Sequence, residues 1–186
     1  VADLLETLDA SAIRKRGFRI VVDYSYSSAS LVLPGVLASL GVEAIAAHPF
    51  VTGRAPLAPA AMLQGSFGQV KRLVGAVGAD LGVVLDQAGE RLYLVDEKAR
   101  EVPVEQELLL FVSLISRKGA SGSIALPLTA TRLVEKLVAD TGLRVTRTQA
   151  SLAALTRAAA EEGTIFAGAV GGGFVFPRFL PACDAI

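Results

Sequence analysis

The spacing of apolar residues changes repeatedly along the chain and marks out alternating helices and strands. Leu4, Leu5, Leu8 and Ile13 share a helical face, so a helix is expected from about Ala2 up to Gly17. Phe18–Asp23 is a β-branched run that reads as a buried strand. Leu31–Leu40 has helical spacing, with Pro34 tolerable only in the first turn and Gly41 placed to end it. Val42–Ala46 returns as a strand, completing a β-α-β unit. After a Pro- and Gly-bearing loop from His48 to Pro59, a helix is expected from Ala60 to Val77, ending at Gly78. Leu81–Leu85 and Leu92–Val95 flank Gln87–Gly89, as the two strands of a hairpin would. A second turn is expected at Glu97–Arg100.

A further helix is expected over Glu105–Ser116, and the order then restarts after Lys118–Gly122. Ser123–Leu126 reads as a strand, Thr129–Thr141 as a helix closed by Gly142, and Leu143–Thr146 as a strand. Ser151–Glu162 is an alanine-rich helix closed by Gly163. Ile165–Ala167, a glycine-rich turn and Phe174–Phe176 form a last hairpin. Both halves run strand, helix, glycine, strand, then helix and hairpin. That pattern predicts an α/β protein of two successive modules, each a mixed sheet flanked by helices, with boundaries at 1–104 and 105–186.

Hydrophobic residues make up 52% of the chain, which provides for a sizeable core and argues against disorder. The 18 basic and 18 acidic residues cancel. The one dense basic cluster, Arg14-Lys15-Arg16, is short and reads as a helix surface, so no nucleic-acid partner is expected. The longest apolar runs are too short to span a bilayer, the start lacks the order of a signal peptide, and no membrane partner is expected. The lone Cys183 allows no intrachain disulfide, which suits a cytoplasmic setting. The chain opens on Val1 and closes on Asp184-Ala185-Ile186, which suggests a fragment of a longer protein.

Several stretches invite sharper readings. Tyr24–Ser30 is a serine-rich strand-to-helix loop, but it lacks a phosphate-loop or nucleophile-elbow pattern, and Ser28 or Ser30 is expected as a helix N-cap. His48, the only histidine, reads as a loop residue, since one histidine makes no metal site. Gly168–Gly173 has near-dinucleotide-loop spacing, but a strand rather than a helix follows. Cys183 has no candidate base nearby in sequence and reads as an inert thiol.

Gly78-Ala79-Asp80-Leu81-Gly82-Val83-Val84-Leu85-Asp86, Arg91-Leu92 and Val95–Lys98 resemble the run into and out of the metal loop of the α-D-phosphohexomutases. Gly142, Arg147-Thr148, Phe166-Ala167-Gly168 and Gly172-Gly173 resemble the frame of that family's third domain. The resemblance covers nearly the whole chain and implies the second and third of four domains, from enzymes that interconvert hexose 1- and 6-phosphates through a phosphoserine. That serine motif, in the first domain, and the phosphate-binding fourth domain have no counterpart here. The family's metal loop is Asp-Gly-Asp-Gly-Asp-Arg; here its aspartate positions hold Asp86, Ala88 and Glu90. Mg²⁺ demands oxygen ligands in near-octahedral geometry, and alanine removes one outright. The sugar loop, Gly-Glu-x-Ser-Gly-His in the family, is Gly168-Ala169-Val170-Gly171-Gly172-Gly173, and the phosphate-holding lysine is replaced by Ala153.

The expectation from this resemblance is a region with no catalytic residue of its own. Arg91, Gly168 and Gly172 are left as substrate-contact positions, and Asp86 and Glu90 as the only remnants of a residual Mg²⁺ site, with no other cofactor. Its partners would be other domains of one longer protein of sugar-nucleotide metabolism, such as a mannose-1-phosphate guanylyltransferase fusion, and a hexose phosphate. Two other readings stay open: a fragment of an active mutase with an altered metal loop, and a sugar-phosphate or nucleotide-sugar binding module.

Overall fold

The computed structural model describes residue 5 and residues 8–52 and 59–185. They divide into two compact units, one running to Val102 and the other from Pro103 to Ala185. No described helix is long and apolar enough to cross a membrane.

The first unit opens with α1 (Ala10–Arg16), capped by the Asp9 carboxylate, which accepts from the Ala12 N–H, and closed by Gly17 at φ 63°. Most of the expected helix over residues 2–8 lies outside the described residues. Strand β1 (Arg19–Asp23) follows. The expected Leu31–Leu40 helix divides into a 3₁₀ turn, Ser28–Leu31, and α2 (Leu33–Ser39), with Pro34 in the first turn of α2. Neither Ser28 nor Ser30 is the cap. Ser27 holds that position without a side-chain bond, and the Ser30 hydroxyl donates to the Ser27 carbonyl. Gly41, at φ 67°, ends α2, and the Val42 N–H reaches back to the Leu37 carbonyl. Next come β2 (Glu43–Ala47), α3 (Pro59–Val77), β3 (Leu81–Leu85) and β4 (Leu92–Val95). Residues 53–58 of the expected loop lie outside the described residues.

The sheet order is β2-β1-β3-β4, parallel in its first three strands and antiparallel at β4. Val21, Val84 and Val95 pack against Phe67, Val70 and Val74 of α3. Gly82 of β3 lies under that helix: a Cβ there would sit 2.5 Å from Val70 and 2.9 Å from Val74.

The three basic residues of α1 are exposed, and two of them have partners within the unit. Arg14 donates to the Ser39 carbonyl, and Arg16 pairs with Asp80 at 2.8 Å. Asp80 also accepts the Arg19 backbone N–H, and that bond together with Arg16 holds its carboxyl below the usual carboxylate range. A depressed folded-state value stabilises above the unfolded value of about 3.9 and is lost as pH falls through the folded one. Asp80→Asn is therefore expected to lower the thermal midpoint at pH 7, with the gap from wild type narrowing toward pH 3. A gap independent of pH would count against the assignment.

The second unit repeats the plan. Helix α4 (Val104–Arg117) leads into β5 (Gly122–Pro127), α5 (Leu133–Val138), β6 (Leu143–Thr148), α6 (Leu152–Ala159), β7 (Thr164–Gly168) and β8 (Phe174–Val175). The order is β6-β5-β7-β8, again with only the last strand antiparallel. Ile124, Leu126, Phe166 and Phe174 form a core with Leu108, Val112, Val134 and Val138 of α4 and α5. On the opposite face Ala125, Ala167 and Val175 pack with Leu155 and Ala159 of α6. Ser151 is the N-cap of α6, accepting from the Ala154 N–H.

Helix α5 is shorter than the expected Thr129–Thr141 span. The Arg147 guanidinium, reaching over from β6, donates to the carbonyls of Pro127, Ala130 and Thr131 and pairs with Glu135 at 2.6 Å. Those carbonyls are bound from the side, and the chain from 128 to 132 is a turn.

Candidate functional site

Because the two sheets share one strand order, their β3–β4 and β7–β8 turns occupy equivalent places. Both leave the carboxyl end of a parallel strand beside the point where strand order reverses, β1/β3 in one sheet and β5/β7 in the other. Open α/β sheets bind ligands in that crevice. The turns are residues 86–91 and 168–173, the same two stretches that the sequence singled out.

In the first turn, the Asp86 carboxylate folds back on its own loop. One oxygen accepts the N–H of Glu90 at 2.8 Å and of Arg91 at 3.1 Å. The Asp86 backbone closes the hairpin by pairing with the Arg91 and Gly89 backbones, and Gly89 takes φ 72°. Asp86 is half-buried; Ala88, Glu90 and Arg91 are exposed. The turn lies against the 3₁₀ segment: a Cβ on Gly89 would stand 3.9 Å from that of Ala29. Among the described residues, no three His, Cys, Asp or Glu side chains gather closely enough to hold an ion. With one Asp86 oxygen satisfied by backbone and Ala88 offering none, the donor set does not suit Mg²⁺.

In the second turn, the glycines answer to packing and backbone shape. A Cβ on Gly168 would stand 2.5 Å from Leu108, and Gly172 sits at φ 88°. Both are buried. The Ala169 N–H donates to the Gly173 carbonyl, and a Cβ on Gly173 would meet the Cys183 sulfur at 2.9 Å. Ala169 and Val170, the side chains nearest the crown of this loop, carry no polar group.

A third constellation lies at the carboxyl end of the first sheet, where the sequence pattern predicts only a loop histidine. Asp23 is fully buried at the end of β1 and accepts the Ser25 N–H at 2.8 Å. His48, just past β2, places Nδ1 3.0 Å from both Asp23 carboxylate oxygens and packs against the Tyr26 ring at a 35° tilt, with centroids 4.8 Å apart. Ser25, Tyr26 and His48 all have positive φ, at 48°, 60° and 46°. Each costs about 1–2 kcal/mol for a residue with a Cβ. The Tyr26 N–H donates to the His48 carbonyl and the Thr52 N–H to the Tyr26 carbonyl, holding the two loops in these conformations. The parallel register sets Asp23 against Ala47 and so delivers residue 48 to the Asp23 carboxylate, a pairing that no local sequence pattern marks.

The phosphoglucomutase/phosphomannomutase α/β/α domain II model matches residues 1–99, more than half the chain. The chain belongs to the α-D-phosphohexomutase family. Among curated phosphohexomutases, the phosphoglucomutase/phosphomannomutase of Thermococcus kodakarensis is 27% identical over 177 residues, covering 95% of this chain and 39% of that protein. A probable phosphoglucosamine mutase of Methanopyrus kandleri is 28% identical, covering 91% and 38%. The chain thus spans about two fifths of the length of these relatives. Its fold matches the crystal structure of a phosphoglucomutase/phosphomannomutase family protein from Burkholderia thailandensis, with a TM-score of 0.79, 19% identity, and coverage of 95% of this chain and 40% of that one. A putative phosphomannomutase from Thermus thermophilus matches at 0.76 and 21%, covering 98% and 42%. In this chain the matched domain II model takes in nearly all of the first unit, with its 86–91 turn. The curated relatives extend the likeness through the second unit.

Proposed function

We propose that this chain is the central part of a phosphohexomutase-like protein that no longer carries out the mutase step itself. In this reading it is a non-catalytic module within a longer cytoplasmic protein of sugar-nucleotide metabolism, such as a mannose-1-phosphate guanylyltransferase fusion. Its partners are other domains of that protein and a hexose phosphate. The observation that carries the reading is the inward-turned Asp86 carboxylate beside Ala88, where the family's loop places a metal-binding aspartate. The second turn supports it: Gly168 and Gly172 are required by packing and backbone, whatever ligand is present, and Ala169 offers a hydroxyl nothing to bond.

Calorimetric titration with Mg²⁺ is expected to give no saturable binding to the chain, with Asp86→Ala behaving the same. The double variant Ala88→Asp, Glu90→Asp is expected to gain Mg²⁺ affinity by restoring two carboxylates of the right length. Saturable binding by the unaltered chain that Asp86→Ala abolishes, or Mg²⁺-dependent turnover of mannose or glucose phosphates by the full-length protein, would overturn the proposal.

A further inference from the structure

The Asp23–His48–Tyr26 cluster has the features of a binding device as well as those of a structural pin. Asp23 is fully buried, so its carboxylate is screened from water and fixed in place by the Ser25 N–H. A carboxylate only accepts hydrogen bonds, so His48 Nδ1 is the donor and, in the neutral ring, the other nitrogen, Nε2, is an acceptor. Nε2 has no partner among the described residues, and the His48 side chain keeps 29% of its surface exposed. His48 itself and two residues of the facing loop, Ser25 and Tyr26, hold positive φ. Strain held in place by surrounding hydrogen bonds concentrates at functional sites.

The chemistry of the surroundings narrows the ligand. Neither loop, residues 23–30 or 48–52, contains a lysine or arginine, and the neighbouring turn carries Asp86, Glu90 and Arg91, a net negative charge. An anion would meet one arginine, Arg91, outweighed by the two carboxylates of the same turn. A metal ion would find no cluster of three ligating side chains among the described residues. An acceptor nitrogen bordered by the Tyr26 ring suits a hydroxyl donor on a partly apolar ring. The buried Ser27 hydroxyl of the same loop also lacks a hydrogen-bond partner among the described residues.

We propose that His48 Nε2, oriented by Asp23 and bordered by Tyr26, accepts a hydrogen bond from a sugar hydroxyl at the carboxyl end of the first sheet. The choice of a sugar rests on the reading given under the proposed function. The contact itself does not depend on whether the module is catalytically inactive.

His48 is the only histidine, so labelling histidine with ¹⁵N in the full chain gives a single-site readout. Mannose, mannose 1-phosphate, inorganic phosphate and Zn²⁺ are titrated separately. The expected result is an Nε2 shift that saturates with mannose and with mannose 1-phosphate, and none with phosphate alone. His48→Asn retains a residue that tolerates positive φ but removes the acceptor, and mannose binding followed at other resonances should weaken about 3- to 10-fold. Asp23→Asn is expected to lower mannose affinity while retaining the ¹⁵N signal. Should it fail to fold, the wild-type titration and His48→Asn decide the matter. A response to phosphate or Zn²⁺ without one to mannose would overturn the proposal, as would a silent Nε2 or a His48→Asn variant that binds mannose unchanged. Mutase turnover with an intact Nε2 response to mannose would defeat the non-catalytic reading and leave this contact standing. Sugar binding with a silent Nε2 would do the reverse.

Discussion

Phe166→Ala should destabilise the protein by about 3–5 kcal/mol, the usual cost of removing a large buried ring. Phe166 is completely buried in β7. Its ring lies 5.2 Å from that of Phe176, 6.1 Å from Phe174 and 6.2 Å from Phe111, so it faces helix α4 and the second arm of the last hairpin. Around it Leu108, Ile124, Leu126 and Val134 belong to one cluster, and truncation opens a cavity that neighbours on three elements would have to fill together. Domains are stable by only about 5–15 kcal/mol, so the loss is a large share of the total. Denaturant unfolding followed by circular dichroism measures it, and amide exchange should place the lost protection in β5 to β8. A loss below about 1 kcal/mol would mean that the phenylalanine cluster repacks and is not the core of the second unit.

The second large effect comes from a single methyl group. Gly82→Ala should cost about 1–3 kcal/mol, because the new Cβ meets Val70 at 2.5 Å, Val74 at 2.9 Å and the Val95 Cβ at 3.0 Å. Val70, Val74 and Val95 are fully buried and have nowhere to retreat. The same substitution at Gly65, in the interior of α3, meets nothing within 4 Å and should stabilise by about 0.5–1 kcal/mol through helix propensity. Opposite signs for the two variants in the same denaturation assay are the expected result. A neutral Gly82→Ala would show that α3 sits further from the sheet than the structure has it.

Gly82 also explains part of what the chain shares with its family. The run Gly78–Asp86 carries the resemblance, and in it Gly82 seats a helix on the sheet, Asp80 anchors α1 through Arg16, and Asp86 closes a hairpin. Those roles survive without metal. The framework of the turn is therefore legible while its donor set is not that of a Mg²⁺ site.

Most of the fold could be read from the chain. Strands Leu81–Leu85 and Leu92–Val95 fall where the apolar runs and the turn between them place them. The restart after Lys118 corresponds to a second sheet with the strand order of the first. At Thr129–Thr141 the helical spacing overstates the helix, because Arg147 captures three carbonyls ahead of Leu133 and holds that stretch as a turn. Ser28 and Ser30 carry hydroxyls suited to capping, yet Ser27 takes the N-cap position and Ser30 donates to the Ser27 carbonyl.

The sequence by itself determined the order of elements, the repeat, the family and the loss of side-chain donors in the two turns. Each of these depends on residues close together in the chain, where periodicity and turn chemistry act directly. Only the tertiary structure decided that His48 meets Asp23, that Arg147 clamps a turn, and which glycines are held by a neighbour. The first two join residues 25 and 12–20 positions apart. Their partners are set by strand register and by which helix lies over which strand, and no local pattern encodes either. A buried carboxylate or guanidinium must find partners wherever the fold brings them, so its bonds are fixed last, by packing.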